Sequence, residues 1–361
     1  MDLGYLAAVV VLGGIILFHE FGHYLLARLN GIAVVEFSVG FGPRLLSWVS
    51  QKTGIRYSLK LLPLGGSCAM LGEFGEDEDE KEEAPDVKGV SFFDKGPLAK
   101  MAVIAAGPIF NFILAFVFSL VILSWAGIDP AVIAGTSEGM PAETAGLKEG
   151  DVITKLDGRK IHLSREISMY LMTAGQDPVQ VEYRRYDETS SSWTTEHTVI
   201  QPEFKDGRYY LGVLLQGHRD APESLVQVLQ YSVYEVRYWI LTVIDSLKMI
   251  AGGKVSTNDI AGPVRIVTII DQTVEENTQY GFVTVVMNLL NLMVMFSANL
   301  GVMNLLPFPA LDGGRLVFLL WELVTRQPVS QRVESAVNMA GMALLMTFMV
   351  FVVFNDLRMI F

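Results

Sequence analysis

The chain has 361 residues, of which 51% are hydrophobic and 18% are charged, and its formal net charge is −12. Soluble proteins usually carry about 25% charged residues, so this composition favours an integral membrane protein that also has a polar domain. The acidic balance argues against nucleic acid as a partner. The single cysteine, Cys68, excludes an internal disulfide framework and a cysteine-based zinc finger.

Four apolar segments are long enough to cross the hydrocarbon core of a bilayer, which is about 30 Å thick. They cover about Tyr5–Leu29, Leu98–Trp125, Gly281–Phe308 and Val337–Phe354. A cleaved signal peptide is the alternative for the first segment, but its start, "MDLGY", has no Lys or Arg and the segment contains His and Glu. The sequence therefore predicts a polytopic α-helical membrane protein with about four transmembrane helices.

A fifth apolar stretch, Ser224–Ile250, differs from these four because it includes Gln227, Glu235, Arg237 and Asp245. A helix that mixes apolar and charged residues in this way is typical of the membrane interface. We therefore expect an amphipathic helix lying at the interface rather than a span.

Basic residues indicate the orientation of the spans. Arg326 and Arg332 lie in the link between the third and fourth segments, and four more basic residues follow the first segment. The positive-inside rule predicts that both links are cytoplasmic. Both termini, and the region between the second and third segments, are then on the far side. The acidic run Glu76–Glu83 is interpreted as a solvated loop.

Residues 130–217 have the composition of a soluble domain and predict a small mixed β fold. "DVITKL" alternates as a half-buried strand, and the following "DG" marks a tight turn. "PVQVEYRRY" and "EHTVIQ" read as two further strands. The stretch "SEGMPAETAGLKEGDVITKLDGRKI" resembles the PDZ domains of bacterial proteases. That resemblance implies binding of a peptide or a C-terminus by strand addition at a sheet edge.

The first apolar segment contains the motif H-E-x-x-H, as His19, Glu20 and His23. Residues four apart share one face of a helix, so both imidazoles can point at one ion, and Glu20 is placed to act on a water molecule. The alternative is a pair of buried histidines satisfied by hydrogen bonds. Ionisable groups inside a membrane segment are costly, at about 2.5–3.5 kcal/mol each, so three without a function are hard to explain.

A catalytic zinc needs about three protein ligands and an open position. "NLLPFPALDGG", from Asn304 to Gly314, offers the third ligand as Asp312. Pro307 and Pro309 break the helix there, and irregular backbone at membrane depth persists only where protein or a water-filled cavity surrounds it. The alternative for Asp312 is a solvated turn at the membrane surface.

H-E-x-x-H in the first segment and N-x-x-P-x-P-x-L-D-G-G in a late one together resemble the site-2 proteases, which cut peptide bonds within membranes. "FSVGFGPRLLSW" and "YSLKLLPLGGSCAM" are similar to the membrane-associated β-hairpin of that family, and "AAGPIFN" is similar to its G-P-x-x-N signature. "IAGPVRI" matches a further family stretch, and the order of the pieces is that of the bacterial RseP/RasP type. One PDZ-like segment rather than two departs from the proteobacterial form.

This resemblance implies specific roles for six residues. His19, His23 and Asp312 would be the Zn²⁺ ligands, and Glu20 the general base. Asn304 would contact the substrate backbone. Asn111, which falls on a second family asparagine near the site, would be a second substrate-binding residue.

The resemblance also implies a domain organisation. Residues 1–125 form the N-terminal membrane part with a β-hairpin at about 35–72, and residues 126–218 form the PDZ-like domain. Residues 219–280 provide interfacial linker helices, and residues 281–361 form the C-terminal membrane part.

The expected function is an intramembrane zinc metalloendopeptidase. Its partners would be transmembrane-helix substrates already cut by another protease, the lipid bilayer, and a peptide at the PDZ-like domain. Its location would be the cytoplasmic membrane, with the PDZ-like domain on the extracytoplasmic side. The alternatives are another membrane zinc hydrolase that acts on other peptides, a non-catalytic PDZ scaffold, and a metal transporter. An intact Glu20 argues against the scaffold, and the small number of intramembrane carboxylates argues against the transporter.

Overall fold

A computed structural model describes residues 3–73, 87–253 and 261–360. The acidic run Glu76–Glu83 lies outside the described residues. The chain divides into two compact units, one built from Met1–Phe118 and Val255–Phe361 and the other from Ser119–Lys254. Each unit is described by itself below.

The helices set the framework of both units. In chain order they are α1 Leu3–Leu29, α2 Pro97–Ala126, α3 Pro141–Thr144, α4 Ser164–Ala174, α5 Leu225–Ala251, α6 Pro263–Thr278, α7 Phe282–Asn304, α8 Asp312–Thr325 and α9 Gln331–Ile360. Among them α1, α2, α7 and Gln331–Met359 of α9 are long and apolar enough to cross a membrane. These four helices coincide with the four apolar segments expected from the sequence. Helix α5 is outside this group, as its charged residues predict.

The strands form several small sheets. They are β1 Val34–Val49, β2 Arg56–Met70, β3 Ile133–Thr136, β4 Val152–Leu156, β5 Arg159–Lys160, β6 Val179–Asp187, β7 Ser192–Ile200, β8 Glu203–Lys205, β9 Arg208–Tyr210 and β10 Val213–Leu215. The first two belong to the helical unit and the other eight to the second unit.

The expected β-hairpin is present, but its two strands are long and fold back on themselves. Residues 34–39 of β1 pair with 66–70 on one side and with 56–59 on the other, while 44–49 pair with 56–60. Gly40, Gly42 and Gly65 have positive φ angles at these bends, a conformation that glycine adopts without steric cost. The result is four paired segments. Among the described residues, 66–70 pair on one side only, so they form an edge of the sheet.

The core of the helical unit lies in two places. One cluster packs α1 against α2 and α6, through residues such as Val11, Ile15 and Ile270. The other places the hairpin against α1, α2 and α8, with Ile32, Ile55 and other buried side chains at its centre. The hairpin is thus fixed next to the helices that carry the H-E-x-x-H and L-D-G-G motifs.

The second unit is a small mixed α/β domain. Its main sheet has the strand order β5-β4-β6-β7, and β3–β10 and β8–β9 form two further pairs. The three strands expected from "DVITKL", "PVQVEYRRY" and "EHTVIQ" are confirmed as β4, β6 and β7. The predicted "DG" turn is confirmed as well, because Asp157 and Gly158 both have positive φ angles between β4 and β5.

Helix α5 packs on this domain through buried ion pairs. Arg159 lies 2.5 Å from Asp245, Arg237 lies 2.6 Å from Glu166, and Arg165 pairs with Glu235. The three carboxylates are buried, and burial raises the pKa of Glu235 while Arg165 opposes that shift. These contacts make α5 part of the compact unit that ends at Lys254.

Candidate metal centre

Helix α1 brings the two histidines of the H-E-x-x-H motif together inside the helical unit. His19 and His23 are one turn apart, and their Nε2 atoms are separated by 3.2 Å. Both side chains are buried. The spacing expected from the sequence therefore places both imidazoles on one side of α1, facing the same point.

Two glycines allow α1 and α2 to approach closely at this point. A Cβ atom on Gly22 would lie 2.6 Å from the carbonyl oxygen of Ala106. A Cβ atom on Gly107 would lie 2.4 Å from Nε2 of His23 and 2.7 Å from Cε1 of His19. Real Cβ atoms do not approach other atoms so closely. The bare backbone of Gly107 is thus one wall of the site, and this role was not predicted from the sequence.

Asp312 is presented by a tight turn between α7 and α8. Ala310 has a φ angle of 72°, and Asp312 is the first residue of α8. Cβ atoms on Gly313 and Gly314 would lie 2.2 Å from the carbonyl oxygen of Leu306 and 2.3 Å from that of Phe308, respectively. The two glycines therefore let the turn fold back onto its own carbonyl groups, which directs the Asp312 carboxylate toward α1.

The three candidate ligand atoms form a compact triangle. Oδ2 of Asp312 lies 3.2 Å from Nε2 of His19 and 3.5 Å from Nε2 of His23. The third side is the 3.2 Å between the histidines. A tetrahedral zinc ion with bonds of about 2.0–2.2 Å separates its ligand atoms by about 3.3–3.6 Å. The triangle therefore has the size that zinc requires.

The chemistry of these donors also fits zinc. Oδ2 of Asp312 is buried and accepts no hydrogen bond from the described residues. Two imidazole nitrogens and one carboxylate oxygen are a donor set found in catalytic zinc sites, which leave the fourth position open. Within the part of the chain that the structure describes, this is the one group of three His, Cys, Asp or Glu side chains with ligand atoms this close together.

Further polar contacts orient the two imidazoles. Nδ1 of His23 donates to the carbonyl oxygen of Val103 at 2.9 Å. Nδ1 of His19 lies 3.0 Å from Nδ2 of Asn111, and Nε2 of His19 lies 3.4 Å from Nδ2 of Asn304. Both asparagines expected from the sequence are thus at the site, on opposite sides of the His19 ring.

A polar cavity of about 460 Å³ lies next to the triangle. Its walls come from α1, the hairpin, α2, the end of α7 and the L-D-G-G turn. The lining residues are His19, Glu20, His23, Glu36, Lys60, Ser67, Cys68, Ala69, Met70, Glu73, Ile104, Asn304, Ala310, Leu311, Asp312 and Arg315. The hairpin therefore contributes residues 67–70 of its edge segment to the wall of this cavity.

Glu20 lies where the hairpin edge meets α1. A Cβ atom on Gly66 would lie 3.2 Å from Cγ of Glu20, so Gly66 allows the edge to come against this side chain. Three of the four carboxylates lining the cavity have close polar partners, whereas Glu20 makes no hydrogen bond or ion pair with a described residue. Glu20 is therefore available to a water molecule.

Arg315 lines the cavity and contacts groups outside it, a role that was not predicted from the sequence. Its guanidinium forms an ion pair with Glu73, just after the hairpin, and lies 3.9 Å from Glu334 of α9. It also lies over the ring of Phe92. The only sequence signal was its position in "LDGGR", three residues after Asp312. Arg315 thus joins the helix that carries Asp312 to the hairpin end and to α9.

A second cavity, of about 670 Å³, lies beside the first. It shares with the first cavity the residues Glu73, Ala310, Leu311, Asp312 and Arg315. Its other walls are mostly apolar and come from the loop before α2, the L-D-G-G turn and α9, including Met339 and Met342. The oxygen Oδ1 of Asn338 on α9 accepts a hydrogen bond from the backbone N–H of Ala310 at 3.2 Å. Helix α9 therefore forms one side of an apolar groove beside the polar cavity.

Comparison with known proteins gives a consistent result over nearly the whole chain. The model of peptidase family M50 matches residues 7–348. A protein of Clostridium acetobutylicum, named only provisionally as a zinc metalloprotease, is 32% identical over 97% of this chain and 96% of its own length. The zinc metalloprotease RasP of Shouchella clausii is 30% identical over 99% of both chains. The regulator of sigma-W protease RasP of Bacillus subtilis is 28% identical over 99% of this chain and 98% of that one.

One solved structure is similar to part of this chain. The PDZ domain of the SdrC-like protein from Listeria innocua is 27% identical over 25% of this chain and 98% of that domain, with a TM-score of 0.21. A TM-score of this size does not establish a common fold, so the PDZ assignment stays a prediction.

Proposed function

The chain belongs to peptidase family M50, and we propose that it is a zinc metalloprotease that hydrolyses peptide bonds within the transmembrane segments of single-span membrane proteins. The observation that carries this proposal is the triangle of His19, His23 and Asp312 beside Glu20. Its two histidines lie on a helix that is long and apolar enough to span a bilayer. A soluble metalloprotease has no need to place its metal site in such a helix.

The three side chains at the triangle would hold the zinc ion. The chemistry that zinc supplies in a site of this kind is to lower the pKa of a water molecule and to polarise a carbonyl oxygen. The carboxylate of Glu20 takes the proton of the attacking water at one of its oxygens. The same group, then protonated, returns the proton to the departing amine nitrogen. Glu20 has no hydrogen-bond or ion-pair partner among the described residues. Its carboxylate is therefore free to carry out both proton transfers.

The hairpin edge suits the task of holding the substrate. A transmembrane helix hides its amides in internal hydrogen bonds, so the cut segment must unwind and its freed N–H and C=O groups must find new partners. The edge segment, residues 66–70, pairs on one side only among the described residues, and its residues 67–70 line the polar cavity. We propose that the unwound substrate pairs with this edge as an added strand.

Asn304 completes the proposed substrate contacts. It is the last residue of α7, it lines the cavity, and its amide lies 3.4 Å from the metal-binding nitrogen of His19. A side-chain amide offers both a donor and an acceptor. We propose that Asn304 binds the backbone of the substrate next to the bond that is cut.

We further propose a location and a substrate class. The protein would lie in the cytoplasmic membrane with its second unit on the extracytoplasmic side, as the basic residues of the two links suggest. The name of the Bacillus subtilis relative, regulator of sigma-W protease, supports membrane-anchored regulators such as anti-sigma factors as substrates. Remnant signal peptides are a second class with the same topology. The PDZ-like domain would admit substrates already shortened by another protease, or bind their new C-termini.

Glu20→Gln tests this proposal. The amide keeps the shape of the side chain but cannot take a proton, so we expect cleavage to fall by about 10²–10⁴-fold. Zinc content and thermal stability should stay at the wild-type level, because Glu20 has no hydrogen-bond or ion-pair partner to lose among the described residues.

The assay is co-expression with a single-span membrane protein that carries either a large or a trimmed extracytoplasmic domain. Glu188→Gln, an exposed carboxylate in a turn of the second unit, is the matched control. Cleavage by Glu20→Gln at the wild-type rate would contradict the catalytic assignment. Equal cleavage of both substrates by the wild type would contradict the proposed selection by size.

A further inference from the structure

Asn111 occupies a position that differs from that of the cavity-lining residues. Asn111 lies on α2, its side chain is completely buried, and it is absent from the lining of the polar cavity. Its amide faces Nδ1 of His19, the ring nitrogen that points away from the triangle, at 3.0 Å. Asn111 therefore contacts His19, a proposed zinc ligand, on the side of the ring that faces away from the triangle. It does not contact the cavity where a substrate would bind.

The tautomer of each histidine decides which of its two ring nitrogens can bind a metal. A neutral imidazole has one N–H donor and one nitrogen with a free lone pair, and only the latter binds a metal. For His23 the tautomer is fixed, because the carbonyl oxygen of Val103 can only accept, so Nδ1 carries the proton and Nε2 is free. His19 faces the same requirement, since its Nε2 is also at the triangle.

The amide of Asn111 can meet His19 in two ways. If Nδ2 faces Nδ1, the ring nitrogen must be the acceptor, the proton is on Nε2, and metal binding at Nε2 is blocked. A half-turn of the amide places Oδ1 against Nδ1, so that Nδ1–H donates to it and Nε2 is left free for the metal.

We propose that Asn111 is a positioning residue, which accepts a hydrogen bond from Nδ1–H of His19 through Oδ1 and so holds Nε2 ready for zinc. The inference rests on the proposed metal site. Asn111 lies one turn beyond Gly107 on the same face of α2, so one face provides both the gap for the imidazoles and the group that orients one of them. The role differs from the substrate contact implied by family resemblance.

The affinity for zinc tests this role without any assay of cleavage. Partners of this kind typically contribute 10–100-fold to metal affinity. We expect Asn111→Ala and Asn111→Leu to bind zinc about 10–100-fold more weakly than the wild type, measured on the full chain by competition with chelators. Asn111→Asp restores an acceptor of the same size, so its affinity should stay within a few fold of the wild-type value.

Ser297→Ala is the matched control. Its hydroxyl donates to the backbone carbonyl oxygen of Asn111 at 2.8 Å, so this variant removes a buried hydrogen bond at the same place without touching His19. A purely structural role for Asn111 predicts similar zinc affinities for Ser297→Ala and Asn111→Leu. The proposed role predicts a loss in the second only.

The second measurement is the ¹⁵N NMR spectrum of the histidines, which reports the tautomer of each imidazole. In protein labelled with ¹⁵N at its five histidines, the zinc-free Asn111→Leu variant should have a larger share of the Nε2–H tautomer at His19 than Asn111→Asp. Wild-type zinc affinity in folded Asn111→Leu, or a tenfold loss in folded Asn111→Asp, would overturn the inference. If the wild type itself binds no zinc, the proposed function fails, and that result is distinct from a failure of the Asn111 role alone.

Discussion

Gly107→Ala should disable the metal site by adding a single methyl group. The new Cβ atom would lie 2.4 Å from Nε2 of His23 and 2.7 Å from Cε1 of His19. Ordinary contacts of this kind begin near 3.4 Å, so the rings must move by about 1 Å or the two helices must separate. A displacement of about 1 Å at a reacting centre can cost 10²-fold in rate. Overpacking of a buried site also costs about 1–3 kcal/mol of stability.

Gly14→Ala is the control for this substitution. Gly14 is also in a helix, and its added Cβ atom would lie 3.8 Å from Cε of Met293, an ordinary contact. Replacing a helical glycine by alanine is favourable by up to about 1 kcal/mol, so this variant should be as stable as the wild type or more so.

The assay compares zinc affinity, thermal unfolding in detergent and cleavage of a single-span substrate for the two variants. We expect Gly107→Ala to lose about 10²-fold in cleavage and to bind zinc more weakly, whereas Gly14→Ala keeps both properties. Wild-type zinc affinity and cleavage in Gly107→Ala would show that the imidazoles do not need the contact with α2. Gly107 would then not be a wall of the metal site.

Two further predictions concern ion pairs. Arg315→Met leaves Glu73 buried and unpaired, so it should destabilise the protein by about 3–5 kcal/mol. In thermal unfolding, the double variant with Glu73→Gln should lose less stability than the sum of the losses in the two single variants. Additive losses of stability would refute the coupling between the two residues. In the second unit, Arg165→Met should cost about 3–5 kcal/mol by leaving Glu235 unpaired. Lys155→Met breaks the more exposed pair with Glu182 and should cost much less than Arg165→Met. Similar proteolytic stability of these last two variants would contradict the role assigned to burial.

The features that the sequence predicted are those carried by local pattern. The H-E-x-x-H motif fixes two residues on one helical face by the helical repeat alone, and the structure places His19 and His23 there. The four long apolar helices follow from hydropathy. The turn at Asp157 and Gly158 follows from the backbone preferences of those two residues.

The features that the sequence did not predict depend on contacts between distant residues. The double pairing of β1 requires segments twenty or more residues apart to meet on both sides of one strand, and no local pattern encodes that. Gly107 matters because two helices cross there, not because of its own backbone conformation. Arg315 pairs with Glu73, which is 242 residues away in the chain. Such contacts become visible only when the tertiary structure is known.

The four carboxylates that line the polar cavity differ in their contacts, and these contacts indicate a role for each of them. Glu36 is bound by Arg44 and Ser58, Glu73 by Arg315, and Asp312 faces the two histidines. A carboxylate at membrane depth is costly without a partner, so these three read as structural or metal-binding groups. Glu20 makes no hydrogen bond or ion pair with the described residues, and it lies between the hairpin edge and the triangle. Its natural partner is therefore water, which is the reactant that peptide hydrolysis requires.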